Sequence, residues 1–190
     1  MHTHVRGIAH RSLAVAVVLA AGVPAHAADP DLSRILDKQV VVAAPVAAVW
    51  RAWTTHEGAA TFFAPRAKIV VAIGGAYELY FDPSAPAGQR GSEGMRVLSF
   101  LPERMLSFSW NAPPKFPRLR GGTEHTWVVV TLQPEGARRT RVTLSHLGWR
   151  RGGEWPQLHA YFDRAWGLVL ARLQRRFEKG PIDWKNPDGK

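Results

Sequence analysis

The stretch that decides the fold is His159 to Leu173, HAYFDRAWGLVLARL. Leu158, Phe162, Ala165, Trp166, Val169, Leu173 and Phe177 recur at spacings of three and four, which places one apolar stripe along a helix. Asp163, Arg164, Gln174 and Arg175 fall off that stripe. Pro156 near the start and Gly180-Pro181 at the end bracket the element with proline at the entrance and glycine at the exit. A single long helix with so broad an apolar face needs a partner layer to cover it.

The preceding chain supplies that layer. From Arg66 to Leu147 the pattern changes to short runs of period two, which predict strands near 67–72, 75–81, 91–100, 104–110, 123–133 and 138–147. Gly74-Gly75 and Pro134-Glu135-Gly136 read as tight turns, and 82–88 and 111–122 as longer loops. Strands joined this closely pair antiparallel. Lys38 to Ala43 (KQVVVA) predicts one more strand, Pro45 opens a helix carrying Val46, Val49, Trp50 and Trp53, and a second short helix runs from about Thr55 to Phe63 with Thr54 or Thr55 as its cap. The expected architecture is α+β: an antiparallel sheet of about seven strands curling around one long C-terminal helix.

Arg6 and Arg11 precede an apolar run, Leu13 to Val23, that ends in Ala25-His26-Ala27. This is the order of a secretory signal peptide, and the run is short beside the roughly 20 residues of a bilayer span. Residues 1–27 are therefore expected to be removed on export to the periplasm or medium. Residues 28–37 then form a lead-in, 38–180 one domain, and 181–190 a tail. The chain has no cysteine, which excludes disulfides, thiol catalysis, thiolate metal sites and a lipid-anchored cysteine.

The formal net charge is +10. Its arginines come in small groups, Arg138-Arg139-Arg141, Arg150-Arg151 and Arg172-Arg175-Arg176, with no long basic tract. That favours a solvated cationic surface over a nucleic-acid site and leaves peripheral contact with anionic membrane as a candidate.

Alternation turns Tyr77, Leu79 and Phe81, Leu106, Phe108 and Trp110, Val128, Val130 and Leu132, and Val142, Leu144 and His146 inward. Phe162, Trp166 and Val169 join them from the long helix, and Trp50, Trp53, Phe62 and Phe63 from the early helices. One helix does not fill a strongly curved sheet, so these side chains either interdigitate into a dry core or surround a ligand. The candidate ligand wall is Trp50, Phe62, Phe63, Tyr77, Leu79, Phe108, Trp110, Val128, Val130, Leu144, His146, Phe162, Trp166 and Val169. Its composition suits an apolar or amphipathic small molecule.

His146 is the one titratable group expected inside, and a lone histidine on an apolar face is more often a satisfied core residue than a catalyst. No carboxylate or hydroxyl partner for it is evident from spacing. His56, His125, His146 and His159 show no metal-ligand spacing, and neither a nucleophile elbow nor a phosphate-binding glycine loop occurs. No metal, cofactor or catalytic residue is expected. Trp127 points away from the chamber on this register. It marks a candidate homodimer contact, unless the register slips by one and the two faces exchange.

Several stretches, in this order, resemble the START and Bet v 1-like helix-grip superfamily, and within it the activator of Hsp90 ATPase homologue 1-like branch. They are AAPVAAVWRAWTTHEGAATFFAP (43–65), GGAYELYF (74–81), RMLSFSWNAPP (104–114), HTWVVVTLQPEGARRTRVTLSHLGW (125–149) and YFDRAWGLVLARL (161–173). The resemblance implies a helix-grip fold with an internal cavity. It leaves open hydrophobic-ligand carriage, cyclase- or hydrolase-type catalysis and co-chaperone action. Export sets this chain apart from activators that serve a cytosolic ATPase, and favours ligand binding.

Overall fold

A computed structural model of the chain describes residues 31–187 together with His2. The expected signal peptide, apart from His2, lies outside the described residues. The elements are β1 (Leu36–Val42), α1 (Val46–Thr54), α2 (His56–Ala60), β2 (Arg66–Ile69), β3 (Tyr77–Tyr80), β4 (Val97–Leu101), β5 (Met105–Trp110), α3 (Pro117–Arg120), β6 (Thr126–Pro134), β7 (Thr140–Leu147) and α4 (Trp155–Lys179).

Short turns dictate antiparallel neighbours, and β1, β7, β6, β5 and β4 pair in that order into one antiparallel sheet. The seven strands do not form one continuous ladder. β2 and β3 make a separate two-stranded ribbon. It is tied to the segment before β4 by isolated bridges, Ala76 with Arg96 and Tyr80 with Gly91. The expected strand 91–100 thus contributes two bridge residues, then β4, which carries a register shift between Val97 and Ser99. The ribbon and this segment meet closely at Gly91, where a Cβ would come within 1.9 Å of the Leu79 carbonyl oxygen.

The hairpin between β6 and β7 sets the faces of the central strands. Val128 pairs with His146, Val130 with Leu144 and Leu132 with Val142, all buried. Trp127 faces outward as its register requires, half-buried, and its ring lies against the backbone of Gly148. Thr55 caps α2 by accepting the Gly58 N–H at 2.9 Å, which satisfies one of the free donors of that helix start.

α4 runs between the predicted proline and glycine signals and buries Leu158, Phe162, Trp166, Val169, Leu170 and Leu173. Each such side chain contributes roughly 1.5–3 kcal/mol when fully buried. Lys38 on β1 and Asp163 on α4 pair at 2.7 Å beside this seam. The C-terminal segment docks as well. Ile182 is buried and its N–H donates to the Thr61 carbonyl, while the Trp184 indole N–H donates to the Ala60 carbonyl at 2.6 Å.

Candidate functional site

The inward-facing aromatics divide by depth. Trp53, Phe62 and Phe63 from α1 and the α2 exit meet edge to face, with centroids at 5.1 and 5.4 Å from Trp53. Tyr77 stacks on Phe108 at 4.0 Å, and its hydroxyl donates to the Trp53 carbonyl at 3.0 Å. Leu79, Val128, Val130 and Leu144 fill the space beneath. Apart from Phe63, these residues form an interdigitated core behind the cavity, in which burial also holds the Tyr77 hydroxyl protonated by raising its pKa well above the usual phenol value.

Above this core the packing opens into a cavity of about 510 Å³. That lies within the roughly 300–1,000 Å³ typical of small-molecule sites. Its aromatic floor is Phe63, Trp110, Phe162 and Trp166. Phe63 and Trp110 are stacked at 5.9 Å, Phe162 and Trp166 at 6.0 Å, and the two indoles meet at 5.3 Å. Val169 and Ala165 complete the α4 side, and Phe81, 45% exposed, stands at the opening.

Of the expected wall, Phe63, Trp110, Phe162, Trp166 and Val169 border this space. Phe62, Tyr77, Leu79, Phe108, Val128, Val130, Leu144 and His146 are instead packed in the core behind it, and Trp50 is half-buried against the core. The physical reason is that alternation reports which face a side chain takes and not whether another side chain already covers it. Phe81 lines the opening rather than the interior.

The mouth is built from loops. Asp82, Ala85, Gln89 and Arg90 approach from the β3 side, and Asn111, Pro113 and Pro114 from the segment after β5. A short helix absent from the sequence expectation, α3, fixes both loops through Arg120. Its guanidinium donates to the carbonyls of Ala112 at 2.6 Å, Gly91 at 2.8 Å and Gly88 at 2.8 and 2.5 Å. Only Pro117 at its first position signalled α3 in the sequence. The donors that clamp the two loops point to carbonyls 8 to 32 residues away, a relationship no local spacing encodes.

His146 is fully buried and completely bonded. The Trp166 indole can only donate, so its 2.9 Å bond to Nδ1 makes that nitrogen the acceptor. The proton therefore sits on Nε2 and is donated to the Thr126 hydroxyl at 2.7 Å, which in turn donates to the Trp110 carbonyl at 3.1 Å. Burial, and secondarily the charge of His159, hold the imidazole pKa well below its ordinary value, so it stays neutral. Thr126 is the hydroxyl partner that the sequence left unidentified; the β5–β6 register, which sets it opposite Trp110, brings it there. Both hydroxyl and imidazole lie behind Trp166 rather than on the cavity surface. The chain Trp166, His146, Thr126, Trp110 joins α4 to three strands and, through its indole N–H, fixes Trp166 in the cavity floor.

Among the described residues no group of His, Asp and Glu is arranged to hold a metal, and no helix is long and apolar enough to cross a membrane.

An antiparallel sheet gripping one long helix, with a cavity between them, defines a helix-grip protein. The chain matches the family model described as activator of Hsp90 ATPase homolog 1-like protein over residues 43–178, and it belongs to that family. The solved protein MLL2253 of Mesorhizobium loti superposes with a TM-score of 0.61 at 18% identity, covering 78% of this chain and all of that one. The Aha1 dimer of Colwellia psychrerythraea gives 0.58 at 17% identity, covering 77% of this chain and 98% of that one. DynU16, a putative protein in the dynemicin biosynthetic locus, gives 0.55 at 26% identity over 77% of this chain and 48% of that chain. No curated protein matches this sequence.

Proposed function

We propose that the protein is an exported carrier that holds an apolar or amphipathic small molecule in the cavity beneath α4. The observation that carries this reading is the cavity of about 510 Å³ bordered by the rings of Phe63, Trp110, Phe162 and Trp166, with the half-exposed Phe81 at its opening. A carrier fits better than an acid–base enzyme, because His146 spends both ring nitrogens inside the core. Export rests on the order of Arg6, Arg11, the apolar run and Ala25-His26-Ala27.

The test is to purify the protein from its own cell envelope and compare native with denaturing mass spectra. A defined small molecule lost on denaturation at near-stoichiometric occupancy is the expected result. A mass already that of the bare chain under native conditions contradicts carriage, and an N-terminus retained at Met1 contradicts export.

A further inference from the structure

Asn111 follows β5 directly and borders the cavity, yet only 9% of it is exposed. Its Nδ2 donates to the carbonyls of Gly91 at 3.4 Å and Glu93 at 3.5 Å. An amide carries its donors and its acceptor on opposite branches, so aiming the nitrogen at two carbonyls turns Oδ1 away from them. The flipped orientation would set oxygen against oxygen. Among the described residues Oδ1 accepts no hydrogen bond, and it does not belong to the unpartnered polar atoms sealed from solvent, as the Trp53 indole nitrogen does. With Nδ2 committed to the protein, Oδ1 is the group that Asn111 can offer to the cavity.

The surrounding backbone holds this amide in place. The Gly91 carbonyl also accepts from Arg120 at 2.8 Å, and Arg120 bonds the carbonyl of Ala112, the next residue along, at 2.6 Å. An acceptor fixed before a ligand arrives saves the ordering entropy that recognition otherwise costs. The other neutral polar side chains on the lining differ from it: Gln89 is exposed, and the Tyr161 hydroxyl can donate as well as accept.

Resting on the carrier reading, we infer that Asn111 selects the occupant: an apolar molecule bearing a neutral hydroxyl, which donates to Oδ1. The body of that molecule lies against the parts of the wall that have surface to give, the half-exposed Phe81 and Leu168 with Pro113 and Ala165. A donor is required because an amide oxygen only accepts, and a nearly buried acceptor left without a partner is costly. A neutral donor fits better than an ammonium, since a charge brought into so apolar a space loses more hydration than one amide oxygen returns. An ether or ketone of the same shape offers only a second acceptor, and Asn111 discriminates against it.

Two probes of nearly the same shape separate this inference from the reading beneath it. 2-Naphthol carries a hydroxyl, uncharged at neutral pH, and 2-methoxynaphthalene is its ether. The full-length protein, stripped of ligand, is titrated with each by calorimetry. 2-Naphthol is expected to bind at least about fivefold more tightly, with a preference that does not change with salt. Asn111→Ala should bring the two affinities together. Because that variant also loses the bonds to Gly91 and Glu93, the unaltered chain supplies a second readout: the Asn111 Cγ resonance should move downfield with 2-naphthol and not with the ether. Equal or tighter binding of the ether overturns the hydroxyl class and leaves the carrier standing. A preference that survives Asn111→Ala, or a Cγ resonance that answers both probes alike, overturns the assignment to Asn111. Binding of neither probe overturns both the inference and the carrier.

Discussion

Trp166 of α4 donates its indole N–H to Nδ1 of His146 on β7 across 2.9 Å, with both side chains almost wholly buried. This bond fixes the tautomer of the histidine, orients the indole that forms part of the cavity floor, and ties the long helix to the sheet. Trp166→Phe keeps a ring in place but leaves the imidazole nitrogen unsatisfied. The expected cost is about 1–3 kcal/mol in urea denaturation, with weaker binding of a neutral apolar probe. An unchanged midpoint would mean that the bond carries no stability.

Because its folded-state pKa is depressed, His146 makes stability depend on pH with a definite sign. Above about pH 6.5 both folded and unfolded forms are neutral, and the group contributes no slope. Below that the unfolded chain takes up a proton that the folded chain refuses, so stability falls with pH by up to about 1.4 kcal/mol per unit until the folded-state pKa is reached. His159 shifts in the same direction, chiefly through burial. In an NMR titration the His146 ring signals should hold still between about pH 7.5 and 5.5. Movement with a midpoint near the ordinary histidine value contradicts the buried, neutral assignment.

Gly148 takes a φ of 86°, and a Cβ there would lie 2.5 Å from the Trp127 ring. Gly148→Ala should therefore destabilise by more than about 1–3 kcal/mol, from both the left-handed backbone and the clash. Adding Trp127→Ala removes only the clash, so the double variant should recover part of the loss and show clear non-additivity. Thermal midpoints of the three variants decide it.

Arg120 clamps the loops on either side of the cavity mouth. Arg120→Met keeps most of the apolar stem and removes the carbonyl bonds, with an expected loss of about 1–3 kcal/mol. Hydrogen exchange should accelerate in residues 82–91 and 111–116 while the β6–β7 hairpin stays protected. Uniform acceleration would place the role of Arg120 in global stability instead.

Particular residues show why some of this was legible in the sequence and some was not. The alternation of Val128, Val130, Leu132, Val142, Leu144 and His146 assigns the inner face because a strand offers only two faces, one of them covered by α4. The helix bounds followed from Pro156 and Gly180, whose backbone restrictions are local. The split of β2 and β3 from the main sheet was not legible, since the bridges that tie them to the segment before β4, Ala76 with Arg96 and Tyr80 with Gly91, pair residues far apart in the chain. Nor was the cavity floor. Phe108 and Trp110 are two residues apart on one face, yet Phe108 is capped by Tyr77 at 4.0 Å while Trp110 borders open space. The mouth belongs to loops, which have no period, and to Arg120, whose hydrogen bonds go to backbone carbonyls and so leave no trace in side-chain identity.

The most direct measurement is to fill the cavity. Ala165 stands on its α4 wall, half-buried, so Ala165→Trp places an indole in the space while the packed core beneath is left intact. Binding of N-phenyl-1-naphthylamine is compared between this variant and the natural chain, with circular dichroism and thermal midpoint as checks on folding. The account predicts a loss of affinity of at least about tenfold with the fold retained. A folded variant that binds the probe as tightly as the natural chain contradicts it, because the ligand site would then lie elsewhere.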